Sequence, residues 1–335
     1  MFASNVQPPI SNRMIYGMCF DGSVVRGRGD DGRPLHFSNT RATGHEGQME
    51  FNYERARQMG LTRFRDTVLW DEPNRCPDYH WLDRLRAVSN GQIELVLNHY
   101  GLPEWIDETM FWDGSAAEAM FDLSRQIAHR YRGTFRSYNI GVELGIWTDW
   151  IAVPNNRQWP FGGRDWWTVY RQTSAITIAI AKGLKAGDPT CLTAMSEPWG
   201  WGPMPYEDQA RPFATVLGQP DDVANRNNCL TWQQGHAGLL DIVGLNIYFD
   251  NDIPRMLAAA RRLFPDKKVV VAETANIYRP DCHPPVLWWA KFEALHEPDL
   301  EVSWNPGYTM LTHELGERMA GNLLSEDGTQ HWHKP

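Results

Sequence analysis

The sequence has no apolar run approaching the roughly 18 residues that a membrane-spanning helix needs, so no such helix is expected. It also has no CxxC pair. Its cysteines, Cys19, Cys76, Cys191, Cys229 and Cys282, are odd in number and widely spaced. That pattern disfavours a zinc ribbon and a disulfide framework, and fits reduced thiols. Basic residues are not in excess. The net charge of −9 argues against the positive surface that a broad nucleic-acid footprint requires. Repeats of 20 to 50 residues and low-complexity linkers are absent, which leaves a single domain over 1–335 as the expectation. From Met1 to Pro9 there is no basic stretch followed by an apolar one. A cytoplasmic location is therefore expected, although a form cut from a longer secreted precursor would read the same way.

Tryptophan is abundant: the 335-residue chain carries 16 of them. Aromatic faces pack on the apolar faces of sugar rings, and they also fill cores. The excess is thus compatible with a sugar cleft without requiring one. Hydrophobic residues at 42% and charged residues at 22% are ordinary for a globular protein. The length is ample for eight βα units, which take roughly 250 residues.

Short apolar or β-branched runs alternate with polar loops and helical patterns, the signature of βα units. Strands are expected at 14–20, 62–69, 93–98, 137–142, 191–196, 242–247, 268–272 and 300–304. Helices are expected at 48–59, 115–131, 165–186, 254–264, 284–295 and 311–324. Ser115-Ala-Ala-Glu118 reads as a capping box, and Gly187-Asp188-Pro189 as a helix stop. The fold class is a single (β/α)8 barrel with a long first βα loop, over 21–46, and an extended sixth unit. That first loop would lie over the barrel mouth and could serve as a lid. Its Arg28-Gly29-Asp30 matches an adhesion tripeptide, but a solvated loop accounts for it better.

Barrel enzymes build their sites at the C-terminal strand ends. Polar or aromatic residues stand at nearly all of these ends: Arg65 and Trp70, His99-Tyr100, Glu143, Glu197, Asn246 and Tyr248, Glu273, and Trp304-Asn305. Glu143 follows Ser137-Tyr-Asn-Ile-Gly-Val142, and Glu273 follows Lys268-Val-Val-Val-Ala272. The second run reads as a buried parallel strand. A carboxylate ending each run points into the mouth. Glycoside hydrolysis needs such a pair, one acid with a raised pKa and one ionised carboxylate. An ion pair with a loop cation is the plainer alternative. Glu197, beside Trp199 and Trp201, reads as a further substrate-binding carboxylate or as part of a packed rim.

These segments resemble glycoside hydrolase clan A, and most closely the family 1 β-glucosidases and their shorter relatives. Gly60-Leu-Thr-Arg-Phe-Arg65 looks like the family's second strand, and Leu97-Asn-His99-Tyr-Gly-Leu-Pro103 like its third. Tyr138-Asn-Ile-Gly-Val142-Glu143-Leu falls at the Asn-Glu-Pro acid/base motif. Asp241-Ile-Val-Gly-Leu-Asn246-Ile-Tyr248 looks like the sixth strand, and Val271-Ala-Glu273-Thr-Ala-Asn276 like the nucleophile motif. The resemblance implies Glu273 as nucleophile, Glu143 as acid/base, and Arg65 (with Arg63 in reserve) orienting the nucleophile. It also implies His99 on a sugar hydroxyl and Tyr248 touching the nucleophile. The substrate-binding set is then Arg65, Trp70, His99, Asn139, Glu197, Trp199, Asn246, Tyr248 and Trp304. Two departures stand out: the family's Asn before the acid/base is Val142, and its Pro after it is Leu144. The 2-hydroxyl contact would then fall to Asn139 or another loop. The glycine of the nucleophile motif is missing, and Val302-Ser-Trp304-Asn305 matches the eighth-strand segment only faintly.

The expected activity is retaining, exo-acting hydrolysis of a small β-linked glycoside, with a carbohydrate substrate and no cofactor, metal, nucleic acid or membrane partner. Two rivals stand beside it. One is a divalent-metal sugar isomerase or epimerase with Glu143, Glu197, His236 and Glu273 around a cation. The other is a carbohydrate-binding barrel without turnover.

Overall fold

The computed structural model describes residues 14–20, 22–28, 34–58, 60–152, 165–198, 235–247, 253–274, 295, 297 and 299–305. The chain starts with β1 (Ile15–Cys19), a hairpin of β2 (Val24–Arg28) and β3 (Pro34–Ser38), the short α1 (Asn39–Ala42) and α2 (His45–Gln58). Next come β4 (Arg63–Thr67), a ribbon of β5 (Trp70–Asp71) and β6 (Cys76–Pro77), α3 (Tyr79–Ser89) and β7 (Ile93–Val96). Then follow α4 (Glu108–Asp113), α5 (Ser115–Arg130), β8 (Ser137–Val142), α6 (Leu144–Ala152), α7 (Trp166–Gly187) and β9 (Thr193–Pro198). Last are β10 (Ile242–Asn246), α8 (Ile253–Leu263), β11 (Lys268–Thr274) and β12 (Glu301–Trp304).

Eight strands, β1, β4, β7, β8, β9, β10, β11 and β12, pair in parallel and close into a barrel. All eight fall where the sequence expects them. Parallel strands covered by helices are buried on both faces, which is why runs such as Val269-Val-Val271 carry no polar alternation. The main apolar core lies between strands and helices, and includes Tyr53, Trp81, Leu85, Ile127, Ile180 and Leu245. A second, small cluster of Ala194, Ile242, Val270 and Ala272 fills one side of the barrel interior. The other side is polar, with Arg65, Ser137 and Asn139 each against Glu94. The end away from the mouth is closed by buried Glu301. It pairs with Lys268 at 2.5 Å, Arg136 at 2.8 Å and Arg63 at 3.8 Å. Helices α5 and α7 pack closely at Gly183, where a side chain would run into the Phe121 carbonyl.

Several local expectations are corrected. The part of 21–46 that is described is not a solvated loop but a hairpin followed by helix. Val24 N–H donates to the His99 carbonyl at 2.9 Å. The Arg26 guanidinium donates to the carbonyls of Pro103, Glu104 and Ile106, each at 2.9 Å. The hairpin therefore lies on the third βα loop, with Val24 so close to Gly101 that a Cβ there would sit 2.5 Å from the Val24 Cβ. Arg28 ends β2, and the rest of the tripeptide lies outside the described residues. Helix α5 begins one residue before the capping-box register. Gly114, at φ 93°, is its N-cap, and Ser115 bonds Asp113 Oδ1 through both its N–H and its hydroxyl.

Helices α3, α4 and α6 are not expected from the sequence. α3 has a local explanation: the Asp78 side chain accepts Trp81 N–H at 3.0 Å, and Asn90 ends the helix at φ 49°. The expected helices at 284–295 and 311–324 fall almost wholly outside the described residues, as does most of the sixth unit. Cys19, Cys76 and Cys191 are free thiols. No described helix is long and apolar enough to cross a membrane.

Candidate active site

The register of β10 against β11 shifts at the mouth: Leu245 pairs with Val271, but Asn246 pairs with Glu273. One extra residue is thereby accommodated, a β-bulge. Val271 belongs to the outer core and Ala272 to the inner cluster. Strict alternation would send Glu273 outward, and the bulge turns it back to the barrel axis. There Arg65 Nη1 donates to Glu273 Oε1 at 2.5 Å, and Asn305 Nδ2 donates to Oε2 at 3.2 Å. Arg65 Nη2 donates to Ser196 Oγ at 2.8 Å. Arg65 and Glu273 are each 2% exposed, so the pair is screened from water and held as a charge-assisted contact. Arg63 instead lies at the far end of the barrel beside Glu301.

Glu143 directly follows β8, whose register against β9 also shifts before Val142. Its backbone is left-handed, at φ 53°, a conformation that costs an L-residue about 1–2 kcal/mol. This turn reverses the chain into α6 while the carboxylate stays at the mouth. Glu143 N–H donates to the Ser196 carbonyl at 2.8 Å, and its own carbonyl accepts Trp147 N–H at 2.9 Å. Asn246 Nδ2 donates to Glu143 Oε1 at 2.9 Å, and the Tyr100 hydroxyl donates to Oε2. Tyr100 is left-handed as well, at φ 65°. The Glu143 carboxyl titrates well above the usual carboxylate range. Burial is the largest cause, the Glu273 charge the next, and the Asn246 hydrogen bond opposes both.

Glu197 is fully buried, and its Oε1 accepts the Leu144 N–H at 2.8 Å. A carboxylate at the first N–H of a helix satisfies an orphan donor and the helix dipole together. Glu197 thus secures the start of α6, immediately after Glu143. Asn139 lies one layer below the mouth and is fully buried. Its Oδ1 accepts Gly141 N–H at 3.0 Å, while its Nδ2 donates to Glu94 Oε1 at 3.1 Å and faces Ser196 Oγ at 3.4 Å. That arrangement does not fit the expected contact with a sugar hydroxyl.

His99 is buried at the end of the third barrel strand, bridged to Val142 and tilted against Tyr100 at 4.6 Å. Trp70 is buried edge-on to Trp105, with ring centroids 6.1 Å apart. Trp304 ends β12; Trp199 and Tyr248 lie outside the described residues. His236 sits in the turn before β10, at the end of the barrel opposite the mouth. It cannot join Glu143, Glu197 and Glu273 around one cation, and no group of three metal-ligating side chains is found among the described residues.

No family model matches the chain, and no curated protein matches its sequence. Solved structures do match. A hyperthermophilic β-glucosidase from Pyrococcus furiosus aligns with a TM-score of 0.60 at 10% identity, over 88% of this chain and 87% of its own. A family 1 β-glucosidase from Thermotoga maritima aligns with a TM-score of 0.59 at 11% identity, over 88% of each chain. A β-glucosidase from the same organism in complex with glucoimidazole gives 0.60 at 12%, again over 88% of each. At these identities the likeness establishes the fold. The chain is a (β/α)8 barrel similar in fold to these structures.

Chemically, the mouth holds one carboxylate fixed by an arginine and another kept protonated to higher pH by burial and by the first. Tyr100, Ser196, Asn305 and Glu94 join this arrangement without having been assigned a part in it from the sequence. Glu94 carried a usable signal, a charge inside the apolar run Ile93-Glu-Leu-Val-Leu97. Tyr100 and Asn305 were read at strand ends without a role, and Ser196 carried no signal, since its position depends on long-range pairing.

Proposed function

We propose that the protein is a retaining β-glycoside hydrolase acting on a small β-linked glycoside, with 1–335 as one catalytic barrel domain. Glu273 serves as nucleophile and Glu143 as general acid/base. The observation that carries this reading is the contrast between two buried carboxyl groups: Glu273 held by Arg65 at 2.5 Å, and Glu143 raised by burial and by the charge of Glu273. Environments that push two carboxyls apart assign an acid and a nucleophile. Glu273 would attack the anomeric carbon while Glu143 gives its proton to the departing oxygen. Water, deprotonated by Glu143, would then release the sugar with its configuration kept.

Asn246 and Tyr100 orient Glu143. His99, Trp70, Trp199, Tyr248 and Trp304 remain the proposed sugar contacts. Asn139 and Glu197 move to supporting positions. The likeness to β-glucosidases adds weight to a glycosidic substrate.

The test is a screen of aryl β-glycosides with varied sugars. At least one should be hydrolysed, with Glu273→Gln at least a thousandfold slower and melting near wild type. Saturable sugar binding without product from any glycoside would instead support the carbohydrate-binding reading.

A further inference from the structure

Another carboxylate lies inside the barrel with no part in the reaction just described. Glu94 is on β7 and 4% exposed. Its Oε1 lies 3.4 Å from Arg65 Nε and accepts Asn139 Nδ2 at 3.1 Å, while its Oε2 accepts the Ser137 hydroxyl at 3.2 Å. Arg65 therefore meets a carboxylate on each of two edges, Glu94 below and Glu273 above, with Ser196 Oγ fixing a third contact at 2.8 Å.

We propose that Glu94 is a positioning residue that shares the Arg65 guanidinium with Glu273, so that its charge governs how fully the arginine neutralises the nucleophile. The inference rests on the glycosidase reading for its catalytic consequence, but the sharing itself does not. A carboxylate buried this deeply needs a partner, and a hydrogen-bonded serine and asparagine supply no charge. Arg65 supplies it. A guanidinium with neutral partners on its lower edge would direct all of its charge toward Glu273. With Glu94 ionised, part of that charge is already answered.

Among the described residues, the following charged groups stand around Glu94 and Arg65. β4 contributes Arg65 and, farther down, Arg63, which pairs with Glu301. β11 contributes Glu273, and β8 faces Glu94 with the neutral Ser137 and Asn139. Glu143 and Glu197 lie on the mouth side. The arrangement resembles a balance in which one cation is divided between a buried structural carboxylate and a reactive one. Such a division leaves Glu273 less tightly neutralised by Arg65 than in an isolated pair.

Two measurements test this, and they fail separately. The first needs no turnover. Melting temperatures at neutral pH are compared for wild type, Arg65→Met, Glu94→Gln and the double variant. Removing the guanidinium strands the charge of Glu94, so the double variant should melt above Arg65→Met alone; a double variant melting at or below that single variant overturns the sharing. Should Arg65→Met not fold, Arg65→Gln takes its place, and if neither folds alone, recovery of folding by Glu94→Gln is the expected result and no recovery overturns the proposal.

The second is the pH dependence of kcat/KM for Glu94→Gln. Its acid limb should move to lower pH by half a unit or more, because Arg65 then serves Glu273 alone. An acid limb that stays in place overturns the catalytic role. If no glycoside is turned over, the glycosidase reading has failed, and the melting comparison still decides whether Arg65 is shared.

Discussion

Glu143 is held where its ionised form costs stability. A carboxyl titrating above its ordinary value of 4.5 binds its proton more tightly folded than unfolded. It therefore stabilises the fold most below that ordinary value, and the contribution is lost as pH rises through the raised folded value. Glu143→Gln removes the ionisation while nearly keeping the shape. Thermal melts across pH 4 to 8 should show the variant close to wild type at the acid end. It should become more stable as pH rises, by up to about 1.4 kcal/mol per unit across the interval between the two values. A constant difference across that range would mean that Glu143 is not strained electrostatically. Glu143→Ala makes a second, kinetic prediction. Substrates with poor leaving groups should lose a hundredfold or more, those with good ones far less, because only the former need the proton. Rates on a series of aryl glycosides measure this directly.

Glu143 and Glu273 stood out in the sequence because each ends a run that reads as buried strand, where a solvated carboxylate would be out of place, and both carboxyls lie buried at those strand ends. Their surroundings did not stand out. The bulge that turns Glu273 inward and the left-handed backbone of Glu143 arise from pairing with neighbouring strands, and no local pattern encodes them.

At the scale of elements the same division holds. Strands β1, β4, β7 and β8 to β12 were legible from β-branched runs at βα spacing. Helix α6 was hidden because its cap comes from Glu197, on a different strand, and because Glu143 in front of it is no ordinary N-cap residue. Glu197→Ala should cost about 1–3 kcal/mol of stability, from the lost cap and the donor left unmet. Its effect on a substrate's KM should be smaller than its effect on kcat, since α6 begins beside Glu143. Calorimetry and steady-state kinetics on the same variant separate the two. A rise in KM alone would return Glu197 to the sugar-contact position expected from the sequence.

The β2–β3 hairpin was read as polar loop because its alternation is short and interrupted. Its anchor, Arg26 on three carbonyls of the third βα loop, is a tertiary contact. Arg26→Ala should raise hydrogen exchange at Val24 and its neighbours, lowering global stability by no more than about 1–2 kcal/mol. Unchanged exchange in the hairpin would show that another contact holds it.

Across the whole molecule, the barrel interior is divided: one side apolar around Ala194, Ile242, Val270 and Ala272, the other carrying Arg65, Glu94, Ser137 and Asn139. The polar side leads upward to Glu273 and ends at the mouth, where enzymes built on this fold place their reactive groups. Fold alone does not make an enzyme, so the claim that matters concerns Glu273. The most direct measurement is peptide mapping by mass spectrometry after incubation with a 2-deoxy-2-fluoro β-glycoside bearing a good leaving group, using the sugar selected by the aryl-glycoside screen. Such a donor should form a glycosyl-enzyme that persists, adding the mass of one fluorosugar to the peptide containing Glu273 and leaving Glu273→Gln unlabelled. Label on Glu143 or Glu197 instead, or turnover of that sugar's glycosides with inverted configuration, would contradict the account.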